Sequence, residues 1–269
     1  MTAVVTLASA ARLTHVERQQ ERLKAADDAA QAFVVWLDET PPPPHLGRTA
    51  RTLHLPPGAD GLRLAAGRNL GARAALTAGH ELLVFLDADC VPGPDLLEVY
   101  AGASTRHPDA LLCGPVTYLP EGVVVDAEVD LDALTAPHPA RPAPAAGATV
   151  AAAAADYALF WSLSFAASSD TWEAVGGFDE AYEGYGGEDT DFAFRARERG
   201  VPLVWTGGAH AYHQYHPTSS PPWQHLDDIL RNGALFAERW GVWPMEGWLE
   251  RFAAAGAVEW TGETWRRTD

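Results

Sequence analysis

The stretch ELLVFLDADC, residues 81–90, runs five apolar side chains in a row, Leu82 to Leu86, and then ends in two acids, Asp87 and Asp89. An unbroken apolar run of that length, without polar alternation, reads as a strand covered on both faces, and such strands belong to parallel sheets flanked by helices. Ligands in open α/β sheets bind outside the carboxyl ends of the strands, so acids at that place favour a functional role.

The pattern extends outward in both directions. AVVTLAS (3–9) and AFVVWLDE (32–39) read as strands separated by helical spacing over roughly Leu13 to Ala30, and RTLHLP (51–56) follows the proline turn Pro41 to Pro44. GLRLAAGRNLGARAALTAG (61–79) carries apolar residues at helical spacing and ends at Gly79, a C-cap residue. DALLCGPVTYLP (109–120) is one more strand, which completes a Rossmann-like, nucleotide-binding half over 1–119. Residues 120–156, with the Pro/Ala-rich TAPHPARPAPAAGATVAAAAA (135–155), read as a flexible insert. Order returns over 157–222, with the strand VPLVWTGG (201–208). The tail, 223–269, is expected to be helical and to pack on a domain spanning 1–222.

Composition narrows the class. The chain has 269 residues, 47% of them hydrophobic, and no apolar run nears the length of about 18 residues that spans a bilayer. The N-terminus lacks a basic start with an apolar run behind it, so the expected location is cytoplasmic. A formal net charge of −17 without a basic run argues against a nucleic acid partner. The two cysteines, Cys90 and Cys113, lie in apolar runs and read as small buried hydrophobes.

Three motifs carry chemistry. Acids at i and i+2 on an extended segment project to one side, so Asp87 and Asp89 are expected to address one hard cation, or the sugar and phosphates beside it; an Asx turn is the plain alternative. WTGGAHAYHQYHP (205–217) supplies His210, His213 and His216 after a strand, without the HExxH spacing of a zinc hydrolase. YEGYGGEDTDFAFRARERG (182–200) sets Glu188, Asp189 and Asp191 behind two glycines at a helix start. Asp189 or Thr190 can cap that helix, but capping uses only one or two of the acids. The others suit acceptor chemistry, with Glu188 or Asp189 as general base and Tyr182 and Tyr185 as an aromatic seat for a sugar ring.

Taken in order, the Asp-x-Asp, GGFDEAYEGYGGEDTDFAFRARERG (176–200) and the trailing histidines resemble nucleotide-sugar glycosyltransferases of the GT-A fold. The likeness is greatest to glycosyltransferase family 2 and to the C-terminal domain shared by galactosyltransferases and polypeptide N-acetylgalactosaminyltransferases. It spans Val4 to Pro217 and implies an α/β, mostly parallel central sheet flanked by helices. It also implies a Mn2+ or Mg2+ cofactor on Asp89 and a histidine, His210 in one register and His213 in the other, with His210 preferred. Asp87 and Ala88 then lie near the donor, Ala8, Ser9, Asp38 and Glu39 near the nucleotide base and ribose, and Arg68 and Asn69 beside them. Asp189 becomes the base of an inverting transfer, with Glu188, Tyr185 and Gly187 on the acceptor. The implied donor is a UDP-sugar, with a GDP-sugar as alternative, and the acceptor a small molecule or glycan. Tyr182 and Tyr185 stand where relatives usually carry tryptophan.

Three other readings compete. A nucleotidyltransferase would carry a glycine-rich basic loop after the first strand, and TLASAARLTH (6–15) has no glycine. A retaining transferase shares the fold, since fold does not set stereochemistry. A noncatalytic carbohydrate- or metal-binding module would use the same acids without binding a nucleotide.

Overall fold

The computed structural model describes residues 1–268 except 28, 127 and 128. The first half comprises β1 (Thr2–Ala8), α1 (Leu13–Ala26), β2 (Gln31–Trp36), β3 (Arg51–His54), α2 (Leu64–Thr77), β4 (Leu82–Leu86), β5 (Cys90–Pro92) and α3 (Leu96–Arg106). Then come β6 (Leu111–Cys113), β7 (Val116–Tyr118), β8 (Thr149–Ala151), β9 (Ser164–Ser168), α4 (Ser169–Val175), α5 (Glu188–Glu198), β10 (Leu203–Thr206) and β11 (Ala211–His213). The tail holds α6 (Leu226–Trp240), α7 (Glu246–Ala254) and a hairpin of β12 (Val258–Trp260) and β13 (Trp265–Arg267).

Eight strands form the main sheet in the order β3-β2-β1-β4-β9-β6-β10-β8. Neighbours are parallel except where β9 joins β4 and β6 and where β8 joins β10. Every residue of β4 is buried, as its unbroken apolar run requires. One face carries an aromatic slab in which Phe85 stacks on Phe165 at 4.4 Å and Phe178 on Phe192 at 4.2 Å. Helix α2 lies tight on β1 and β2 because Gly67 and Gly71, one turn apart, present no Cβ. A methyl there would come within 2.9 Å of Leu7 and 2.4 Å of Val5. Glycine inside a helix costs about 0.5 to 1 kcal/mol relative to alanine, and here close packing on the sheet offsets it. No helix of the described residues is long and apolar enough to cross a membrane.

A small second sheet, β5-β11-β7, stands at the carboxyl ends of the main strands. Its register pairs His213 with Cys90 on one side and with Tyr118 on the other. Strand β11 thereby comes to rest on the turn that follows β4.

Several expectations need correction. Residues 109–120 form two strands in two sheets, broken at Gly114 and Pro115; a Cβ on Gly114 would meet the Ala209 carbonyl at 1.8 Å. The insert is no linker among its described residues. It supplies β8, buries Val125 and Leu131 against Val91 and Tyr212, and lodges the buried Arg141 between the rings of Trp161 and Trp205, each 5.2 Å away. Residues 127 and 128 of that insert, residue 28 of the expected first helix and residue 269 of the tail lie outside the described residues. The first helix ends at Ala26, and the tail is helical only in part, since it closes with the β12–β13 hairpin. Both cysteines are free and buried, and burial pushes the Cys113 thiol up to about 12.

The tail grips the glycine-rich loop. Asn232 of α6 donates from its amide nitrogen to the carbonyls of Glu183, Tyr185 and Gly186, at 2.9, 3.3 and 2.9 Å. Asp191, fully buried on α5, accepts from Arg195 at 2.9 Å, Arg239 at 2.6 Å and Trp240 at 3.0 Å. Removing one member of a buried charge network strands its partners, so Asp191→Ala should lower stability by about 3 to 5 kcal/mol. Urea titration checks this as a lower midpoint at unchanged slope.

Candidate active site

The acids after β4 sit in a turn clamped from below. Cys90 N donates to the Asp87 carbonyl at 2.8 Å. The fully buried Gln19 of α1 donates to the carbonyls of Asp87 (2.7 Å) and Cys90 (2.8 Å), and its own oxygen accepts from Thr6 at 2.8 Å. From above, Gln214 N donates to the Asp89 carbonyl at 2.6 Å. Because the segment turns, the two carboxylates do not share one direction, contrary to the reading as an extended strand end. Asp87 faces Arg68 NH2 at 3.2 Å, whereas Asp89 faces Arg12 and two histidines.

Asp89, His213 and His216 offer ligand atoms that all lie within 4.8 Å of one another. His213 Nε2 is 3.6 Å and His216 Nε2 3.3 Å from the Asp89 carboxylate, and the His213 ring stacks on Tyr118 at 4.4 Å. One hard oxygen and two borderline nitrogens suit a divalent ion such as Mn2+. His210, the preferred ligand of the sequence reading, is turned elsewhere: its Nε2 is bonded to Thr117 Oγ1 at 2.7 Å, and its ring leans on Tyr212. Leading into β11, positions 210 and 213 fall on opposite faces of the extended chain, whereas the chain leaves the strand after His213 and brings His216 back to Asp89. His216 was the overlooked partner, and Arg12, which meets Asp89 at 3.1 Å, carried no motif at all.

Burial opposes charge on Asp89, but the hydrogen bond from His216 and the charges of His213 and Arg12 outweigh it and hold the carboxyl well below the usual range. Burial lowers His213, which favours the neutral ring that ligation needs. It also lowers His210, to about 4.

Across the cleft, the start of α5 is capped by Gly187 at φ 89°, not by Asp189 or Thr190. A Cβ there would press on the Tyr182 ring at 3.2 Å. The three acids then diverge. Glu188 is buried and held by Arg68 NH1 at 3.2 Å, Asp191 belongs to the network under α6, and Asp189 accepts only from Thr190, at 2.7 Å from its nitrogen. Among the described residues Asp189 forms no ion pair. Burial first, and then the charge of Glu188, push its carboxyl well above the ordinary range despite the pull of Arg68. Tyr185 is half-buried, stacks on His225 at 4.4 Å and is influenced by the charges of Asp189 and Glu188. Tyr182 is core, 2% exposed, and seats nothing.

The expected nucleotide residues gather at the ends of β1 and β2. Asp38 accepts from Ala10 N, Leu37 N donates to the Ala8 carbonyl, and Ser9 and the exposed Glu39 flank them. Ala88 packs its methyl with Ala8 and Trp36. Asn69 is spent on the chain: it accepts from Phe178 N at 2.8 Å and donates to the Phe178 carbonyl and Glu180 at 2.9 Å, so it braces a loop instead of facing the cleft. Arg68 lies at the centre, 4% exposed, bridging Asp87 and Glu188 over the ring of Phe178.

A mostly parallel sheet, a turn bearing two acids, a strand-end histidine pair and a glycine-capped acidic helix make this a GT-A glycosyltransferase fold. The family model for the N-terminal domain of galactosyltransferase matches residues 145–217. Validoxylamine A glucosyltransferase of Streptomyces hygroscopicus subsp. jinggangensis (strain 5008) is 29% identical over 172 residues, covering 54% of this chain and 37% of that protein. The same-named protein of subsp. limoneus is also 29% identical, with 35% of its length covered. The chain thus spans little more than a third of those relatives. Among solved structures, S. aureus TarS 1–349 with UDP-GlcNAc superposes at TM-score 0.58 and 12% identity, over 88% of this chain and 66% of that one. GalNAc-T7 with UDP, GalNAc and Mn2+ gives 0.54 and 14%, over 89% and 48%. The family model and both relatives are named for glycosyl transfer, and the solved structures share the fold.

An acid whose folded pKa lies above its unfolded value binds its proton more tightly when folded. The ionised form therefore costs stability above the folded pKa, and the cost fades as pH falls through it. Asp189→Asn should accordingly raise Tm at mildly alkaline pH, with a gain that shrinks in mildly acidic buffer; melting curves of both proteins across that range check it.

Proposed function

We propose that the protein transfers a sugar from a nucleotide diphosphate donor to an acceptor hydroxyl, with inversion and with Asp189 as the base. The observation that carries the reading is the Arg68 bridge. One buried guanidinium spans Asp87, at the strand end, and Glu188, next to Asp189 at the helix start, which supports reading the two acidic motifs as parts of one transfer site.

Each residue then has a task. Asp189, with no cation of its own and a raised pKa, takes the proton of the attacking hydroxyl; a base works best when its pKa lies near the working pH. Glu188, fixed by Arg68, accepts from a hydroxyl of the acceptor or the transferred sugar. Tyr185, stacked on His225, offers a ring face to the acceptor. Asp38 at the end of β2 is placed for the ribose. Asp89, His213 and His216 would hold Mn2+ or Mg2+, which as a Lewis acid stabilises the departing diphosphate. With one base and no covalent nucleophile, attack opposite the leaving group inverts the anomeric centre.

The neighbours favour a UDP-sugar over a GDP-sugar, since TarS is named with UDP-GlcNAc and GalNAc-T7 with UDP, GalNAc and Mn2+. The curated relatives are named validoxylamine A glucosyltransferases, which supports a glucosyl group as the sugar transferred.

Calorimetry with UDP and GDP, with and without Mn2+, tests the donor; a protein that binds neither nucleotide overturns the proposal in favour of a noncatalytic module. Asp189→Asn should bind UDP normally yet transfer about 100-fold more slowly or worse, as removal of a general base does. His213→Ala should weaken Mn2+-dependent UDP binding while His210→Ala leaves it unchanged, and the reverse result would restore His210 as the ligand. Proton NMR of the first-formed product reads the anomer and separates inversion from retention.

A further inference from the structure

Arg12 has no task in the mechanism above, yet it touches two of the three candidate ligands. Its Nε lies 3.1 Å from Asp89 Oδ2 and its NH2 3.1 Å from His216 Nδ1. The residue ends the single 3-10 turn (Ala10–Arg12) that follows β1, next to the expected ribose corner, and its side chain is 32% exposed.

A guanidinium can only donate. His216 Nδ1 therefore accepts from Arg12, and the ring proton sits on Nε2, 3.3 Å from Asp89 Oδ2. In this arrangement the imidazole has no lone pair directed at a cation, and Asp89 Oδ2 already serves two donors. Ligation through Nε2 requires the other tautomer, with the proton on Nδ1. A protonated Nδ1 is incompatible with the Arg12 donor but suits the Pro217 carbonyl, which lies 3.4 Å away. A carbonyl on the non-ligating nitrogen is the common way to orient a metal-bound imidazole.

We propose that Arg12 and the divalent cation compete for Asp89 and His216, and that Arg12, once displaced, pairs with the donor's diphosphate. The handover follows from charge and reach. A guanidinium left beside a divalent ion is repelled, and its backbone on the 3-10 turn keeps it within a side chain's length of the pocket. The nearby carboxylates are engaged, Asp87 by Arg68 and Asp38 by Ala10 N. A diphosphate bound to the cation is then the anion that the fork of Arg12 fits. Cation and nucleotide must accordingly bind with positive coupling, because the nucleotide draws off the cation's competitor.

The inference rests on the pocket assigned above, and its test separates the two. Calorimetry measures Mn2+ alone, and UDP at saturating Mn2+, for the wild type, Arg12→Gln, Arg12→Lys and His213→Ala. Arg12→Gln should bind Mn2+ alone several-fold more tightly than the wild type, yet bind UDP about tenfold more weakly at saturating Mn2+, the loss expected for a charge-assisted hydrogen bond. Arg12→Lys, which keeps the charge, should leave Mn2+ binding close to the wild type. Unchanged or weaker Mn2+ binding by Arg12→Gln overturns the competition, and unchanged UDP affinity overturns the handover. Mn2+ binding that survives His213→Ala undiminished overturns the pocket itself, and this inference with it.

Discussion

One buried guanidinium ties the site together. Arg68 sits 4% exposed between carboxylates from residues 87 and 188, and a charge so desolvated is tolerable only with both partners in place. Everything around it serves that geometry. The glycines at 67 and 71 bring α2 down onto the sheet, the Phe178 ring supports the guanidinium from the aromatic slab, and Asn69 on the same helix anchors the loop that carries Phe178. The two parts of the chain thus meet through this buried ion pair as well as through the shared aromatic core of Phe85, Phe165, Phe178 and Phe192.

The acidic run at the head of α5 shows how little a count of charges says about roles. Glu188 is paired with Arg68, and Asp191 is buried under the tail with two guanidiniums and an indole. Asp189, between them, is left to the cleft. On a helix, successive side chains point about 100° apart, so three acids within four positions address three surroundings. Only Asp189 is left without a cationic partner among the described residues.

Much of this is legible in the sequence, and the failures have physical causes. The parallel strands are readable because burial on both faces demands unbroken apolar runs, as in Leu82 to Leu86. The placing of acids and histidines at strand ends is readable for the same topological reason. The ligand set is not, because it depends on the register of a three-residue strand: His213 pairs with Cys90, and that pairing alone sends His210 to the opposite face. Period-two reasoning could not have found the set, since it separates His213 from His216 as readily as from His210, and only the exit of the chain from β11 brings His216 back. Arg12 was invisible, since an arginine opening a helix looks like any solvated residue until Asp89 is folded against it. The Pro/Ala-rich insert misled through composition, which registers the lack of large apolar side chains but not a strand completing a sheet edge.

The grip of Asn232 on the loop at 183–186 has a consequence for what the tail does. A carboxamide has two N–H groups, yet three carbonyls lie within reach of this one, so the loop is held by a shared set of bonds with a carbonyl in excess. The backbone bearing Tyr185 therefore takes its shape from α6, a segment far along the chain and outside the nucleotide-binding machinery. The same tail also holds buried Asp191 through Arg239 and Trp240, so the last fifty or so residues set both the shape of this loop and the footing of the helix that bears Glu188.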